Sequence, residues 1–195
     1  MNSIRWPWNS AANTRIWYFE LRRINSICHY LSQDALKTLI SAFVLSRIHY
    51  CNSLLAGCPK QLIHKLQKVQ NNAARFICRT PKFDHISPVL HTLHWLPFEQ
   101  RIEYKLLLLA CKSVYNDGPS YLSDLLKCYI PSRQLRSSSD TRTLRIPSFR
   151  LKSFGQRKFS YQASILWTSL PISLRHSNST LAFRSALKTH LYSSQ

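Results

Sequence analysis

The sequence predicts a mainly α protein: a helical bundle, then a basic loop with one or two short strands, then C-terminal helices. Three observations predict it. Only 3 of the 195 residues are glycine, so few positions favour the positive φ that tight hairpins need. Apolar residues recur at spacings of three and four along most of the chain, which is the helical period. Hydrophobic residues make up 45%, enough for the core of one domain or of two small ones.

Residues 1–12 show no period and read as disordered or foreign to the fold. From Asn13 to His29, the residues Ile16, Phe19, Leu21, Ile24 and Ile27 predict a helix with Arg15, Arg22 and Arg23 on its wet side. Ser32, ahead of Gln33 and Asp34, is a plausible N-cap with an acid in the first turn. Leu36, Leu39, Ile40, Phe43, Val44 and Ile48 carry that helix onward. Gly57-Cys58-Pro59 breaks it, and Pro59 suits the start of the next helix.

The helix predicted over 59–79 is the clearest element. At about 100° per residue, Leu62, Ile63, Leu66, Val69, Ala73, Phe76 and Ile77 gather on one side. Lys60, His64, Lys65, Lys68, Arg75 and Arg79 gather on the other. Thr80-Pro81 closes this helix, and a short one follows around Ile86 to Leu93, with Pro88 near its start. Leu96-Pro97 introduces a longer helix, Phe98 to Tyr115, with Ile102, Leu106, Leu109 and Ala110 inward. Asn116-Asp117-Gly118-Pro119 is a turn by composition, and Pro119 to Leu126 forms a last short helix of this region, which spans 13–128.

Residues 129–153 differ. Ser137, Ser138 and Ser139 form a small low-complexity patch. Thr143-Leu144-Arg145-Ile146 and Phe149-Arg150-Leu151-Lys152 alternate apolar with basic, a weak period-two signal for short strands in a basic loop. Helical spacing returns over 154–195, at Phe159, Ile165 and Leu166, then from Thr180 through Leu181, Phe183, Leu187 and Leu191 behind the cap residue Ser179.

Charge bounds the function. There are 27 Lys+Arg against 8 Asp+Glu, a formal charge of +19. Such a surface suits a polyanion, because each neutralised phosphate releases condensed counterions. The eight acids are scattered and no two are adjacent, whereas chemistry on phosphate needs clustered acids to hold metal ions. No phosphate-cradling glycine loop is present either. The balance favours binding over catalysis. The tail is the more one-sided part: from Arg133 to Lys158 there are eight basic residues and only Asp140 against them.

Each further signal has a plain alternative. A cationic helix face is ordinarily a solvated one, but the face of 59–79 contains no acid, which brings phosphate contact level with solvation. His91 and His94 share a spacing that could serve zinc, with Cys78 or Cys111 as companions, yet a zinc site ordinarily shows two paired short spacings. No metal and no cofactor is expected. Glu99 and Glu103 could hold a metal only with acids from other helices, and ion pairs with Arg101 and Lys105 account for them. The six cysteines include no C-x-x-C and read as reduced, mostly buried thiols of a nuclear or cytosolic, non-secreted chain. The longest purely apolar run, Leu106 to Cys111, is too short to span a bilayer. From Phe149 to Phe159, aromatics interleave with cations, as in surfaces where rings stack on bases; the alternative turns Phe154 and Phe159 into the core.

Several strings carry a resemblance: Leu-Ser-Arg-Ile-His-Tyr-Cys-Asn-Ser-Leu-Leu (45–55), Leu-Gln-Lys-Val-Gln-Asn-Asn-Ala-Ala-Arg (66–75), His-Trp-Leu-Pro-Phe-Glu-Gln-Arg-Ile (94–102), Gly-Pro-Ser-Tyr-Leu-Ser-Asp-Leu (118–125) and Leu-Trp-Thr-Ser-Leu-Pro (166–171). In this order they resemble the C-terminal part of the reverse transcriptases of non-LTR retrotransposons of the jockey and chicken-repeat type, over about residues 16–192. The resemblance implies a thumb-like helical region, whose counterpart in such enzymes grips the template–primer duplex, followed by the family's less understood C-terminal segment. The palm aspartates, the endonuclease and the zinc knuckle of some relatives have no counterpart here. The unmatched start implies a reading frame that opens at an accidental Met within a decayed element.

The expected partner is therefore the RNA or DNA backbone, gripped without sequence preference, and a reverse transcriptase palm domain is a second. The expected contact residues are Lys60, Lys65, Lys68, Arg75 and Arg79, then Arg145, Arg150, Lys152, Arg157 and Lys158. No polymerase activity is expected of the chain alone. A protein-interaction module and a relic without selected function are the alternatives.

Overall fold

The computed structural model describes residues 11–50, 52–130 and 142–193. It is mainly helical, and no strand occurs among those residues. Two compact units are distinguished. The first runs through Asn52 and resumes over Cys58–Glu99; the second takes Ser53–Gly57 and the chain from Gln100 onward.

The first unit contains α1 (Ala11–Ile27), α2 (Gln33–Ile40), α3 (Ser46–His49), α4 (Lys60–Cys78) and α5 (Ser87–Thr92). Helix α4 is its centre and packs against α1, α2 and α5. The buried line of α1 is Trp17, Leu21 and Ile24, spaced by four and three. Ile16, Phe19 and Ile27, expected inside, are 48%, 60% and 46% exposed. Two apolar lines compete on α1, and the one carrying the tryptophan is buried. The other is left as an apolar strip on the surface.

Ser32 caps α2 as expected: its hydroxyl accepts from the Ala35 amide at 3.3 Å. The path from α2 to α3 contains a π-helical turn over Ser41–Leu45. This wider turn rotates the next stretch of helix, so Val44, Leu45 and Ile48 extend the buried line of Leu36 and Ile40. Leu39 is half-buried and Phe43 is turned out, which corrects the simple three-and-four reading of both.

Helix α4 buries Leu66, Val69, Ala73, Ala74 and Ile77, and with them the polar Gln70. Leu62, Ile63 and Phe76 are half-buried. The helix stops at Arg79, whose φ of 51° is left-handed, a conformation usually given to glycine. His94 takes a similar φ of 54°. Beyond it, the Trp95 amide donates back to the Leu90 carbonyl at 2.8 Å, and Trp95 and Leu96 are buried.

Helix α6 (Phe98–Val114) buries Ile102, Leu106, Leu107, Ala110 and Cys111. The rest of the second unit is α7 (Ser120–Leu125), α8 (Lys152–Gly155), α9 (Phe159–Ser169), α10 (Ile172–Arg175) and α11 (Thr180–Ser193). Trp167 and Phe183 meet at a tilt, 5.5 Å between ring centres. The inward face of α9 is Ala163, Ser164 and Trp167, not Phe159, Ile165 and Leu166, which are half-buried. The Ser179 hydroxyl caps α11, accepting from the Ala182 amide at 3.1 Å.

The expected strands are corrected. Leu144 forms one isolated antiparallel bridge with Cys128, closed by Tyr129 N–H to Thr143 O and Arg145 N–H to Lys127 O, both at 2.8 Å. Pro147 stands two residues past Arg145 and offers no amide to continue a ladder. Lys152 instead opens α8. A β-carbon on Gly155 would lie 2.0 Å from the Phe149 ring, so that ring packs where only glycine fits. Residues 1–10 and the serine patch Ser137–Ser139 lie outside the described residues.

Candidate nucleic-acid interface

The cationic stripe on α4 is real geometry of a 19-residue helix, about 28 Å long. Lys60, His64, Lys65, Lys68 and Arg79 are exposed, and Arg75 is half-buried. The stripe stands opposite Leu66, Val69, Ala73 and Ile77, so burial of the apolar seam fixes the direction of the cations. Arg75 has a second task. Its guanidinium donates to the Asp84 carbonyl at 2.6 Å and also to the Pro81 carbonyl, anchoring the 81–84 loop to the helix.

At its C-terminal end the stripe borders a groove of about 590 Å³ between α1 and α4. Arg75, Arg79 and Lys82 line it with Phe76, Asn25, Asn72, Cys28, His29 and Thr80, and no carboxylate does. Just beyond it, Phe83 is 92% exposed, with the Lys82 ammonium 5.9 Å from its ring. Helical spacing alone assigns Phe76 to the core and gives Lys82 and Phe83 no role. The proximity of two aromatics to the end of the cationic run was the available signal.

In the second unit, Arg145, Arg150, Arg157 and Lys158 are exposed. The Lys152 side chain lies outside those described. Phe154 is 73% exposed, so the alternative that turns it into the core does not hold for this residue. Phe149 meets Tyr161 edge-on at 4.8 Å.

Not every arginine of the second unit is available to a ligand. The Trp167 indole donates to the Arg142 carbonyl at 2.7 Å. The Arg142 guanidinium lies 4.9 Å from the centre of the Tyr115 ring and donates to the Arg175 carbonyl at 3.1 Å. Arg175 is itself 7% exposed and donates to the Leu170 carbonyl and to the Thr143 hydroxyl at 3.1 and 3.2 Å. These two side chains tie the 142–144 segment to α9 and α10. Arg101, expected in surface pairs, is drawn partly inward. Burial lowers its pKa to about 10, and the Tyr192 phenol acts in the opposite direction.

The remaining reactive groups are scattered. Among the described residues no three His, Cys, Asp or Glu are placed to share a metal ion, and His85, His91 and His94 are all exposed. Cys111 is fully buried, and that burial pushes its thiol up to about 12. Burial also raises the Cys78 thiol, with Lys37 opposing. Neither thiol has the lowered pKa of a nucleophile. Among the described residues no helix is long and apolar enough to cross a membrane. No family model, no curated protein and no solved structure matches this chain.

Proposed function

We propose that this chain is a thumb-like and downstream remnant of a non-LTR retrotransposon reverse transcriptase. It binds the backbone of RNA or DNA without sequence preference and does not polymerise by itself. The observation that carries the reading is α4. A buried apolar seam aims Lys60, Lys65 and Lys68 outward in one stripe without a carboxylate, and the exposed Arg79 follows at the left-handed C-cap, as a sequence-blind grip on phosphates requires. The ordered strings of the sequence supply the family. Primer extension with the purified chain tests the enzymatic half, and nucleotide incorporation would overturn it. Duplex binding measured across salt tests the other half.

A second reading has its own observation. Ile16, Phe19 and Ile27 on α1, with Phe43, leave apolar surface uncovered in the first unit, as on a face that meets another protein. Size-exclusion chromatography with and without a reverse transcriptase palm domain separates the two. Co-elution that survives high salt favours the protein interface.

A further inference from the structure

The groove between α1 and α4 differs in chemistry from the stripe that leads to it. Lysines along an open helix face suit phosphates of any strand. The groove adds Phe76, Asn25 and Asn72 to the cations Arg79 and Lys82. Its volume, about 590 Å³, is within the range of small-molecule sites. The loop that carries Lys82 is held to α4 by Arg75, so the second wall is attached to the first. That same loop presents Phe83 to solvent. A stacked base in a duplex cannot offer its face to a ring, whereas an unpaired base can.

We propose that this groove is a single-strand site. It takes one unpaired nucleotide of an RNA or DNA strand, with the base on Phe76 and its phosphate against Arg79 and Lys82. The neighbouring base stacks outside, on Phe83. Arg75 is a positioning residue, because it holds the loop. The inference rests on the nucleic-acid reading above and adds to it a preference for unpaired over paired strands. The anion is a backbone phosphate, to which the absence of any carboxylate in the groove is suited.

The test uses fluorescence anisotropy with the full chain and three probes: a ten-nucleotide oligouridine, the matching oligothymidine, and a DNA hairpin whose fully paired stem is closed by a polyethylene-glycol linker, so that it offers no unpaired base. The variants are Phe83→Ala and Phe76→Leu. Phe83 is almost wholly exposed, so its removal leaves the fold intact, and Phe76→Leu keeps most of the buried volume. Each variant is expected to weaken the single strands about 5- to 150-fold, the scale of one lost base–aromatic stack, while hairpin affinity stays within about twofold.

Equal loss on the two single strands assigns the groove to features that RNA and DNA share. A loss confined to oligouridine assigns the groove to RNA strands alone. Both outcomes support the site. Unchanged single-strand affinity in both variants, or an equal fall on the hairpin, overturns it and leaves the duplex grip standing. A wild-type chain that binds none of the three probes overturns the functional reading and the groove together. Alkylation of Cys28, on the groove wall, is also expected to slow several-fold when oligouridine is bound; an unchanged rate contradicts the site.

Discussion

The Gln70 side-chain amide donates to the main-chain carbonyl of Leu96 at 2.8 Å, across 26 residues of sequence. One turn earlier on the same helix, the Gln67 carbonyl oxygen accepts from the Phe98 amide at 2.6 Å. Two glutamines of α4 thus hold the Leu96-Pro97-Phe98 corner, and Gln67 satisfies an amide in the first turn of α6 that no intrahelical carbonyl can reach. Gln70 is fully buried. Gln70→Leu removes this hydrogen bond, at an expected cost of about 1 kcal/mol. Gln70→Glu costs more, because it adds a buried charge. Urea denaturation checks both; unchanged midpoints contradict the role.

The indole of Trp167 is the corresponding fastening of the second unit. Trp167→Phe keeps the ring against Phe183 and loses the bond to the Arg142 carbonyl. The expected loss is about 1 kcal/mol of stability. Near-UV circular dichroism and urea midpoints read it, and Arg142→Met is expected to be at least as damaging. A Trp167→Phe chain as stable as wild type would show that the bond contributes nothing.

Cys111 gives a pH dependence with a definite sign. Its folded pKa of about 12 lies above the ordinary value of about 8.5 for an unfolded thiol. The unfolded state therefore releases its proton first as pH rises. The contribution is fully present below about pH 8.5 and is lost progressively above it, at up to about 1.4 kcal/mol per pH unit. Between pH 8 and 10 the wild type is expected to lose more stability than Cys111→Ala. Equal slopes in chemical denaturation contradict this. In the folded chain Cys111 also alkylates far more slowly than the exposed Cys128.

Most helices were legible because their apolar spacing, caps and breakers agree. Ser32, Ser179 and the α4 seam behave as their positions predict. The misreadings have local causes. On α1 two apolar lines satisfy the same period, and only packing of Trp17 decides between them. The π turn over Ser41–Leu45 carries no sequence mark but shifts Phe43 outward. The alternation around Leu144 resembles a strand until Pro147 stops it after one bridge. In the candidate site, the stripe cations could be read from helical angle alone. The groove depends on α1, α4 and the 81–84 loop meeting in space, and the withdrawal of Arg142 and Arg175 depends on carbonyls distant in sequence.

The most direct test of a phosphate grip is a filter-binding titration of duplex DNA across salt, on the wild type and on Lys65→Glu/Lys68→Glu. Affinity is expected to fall steeply between about 50 and 200 mM salt. The double variant is expected to bind all sequences more weakly and to lower the slope of log affinity against log salt by about 2 or more. A salt-independent affinity, or a slope unmoved by the double substitution, contradicts the account.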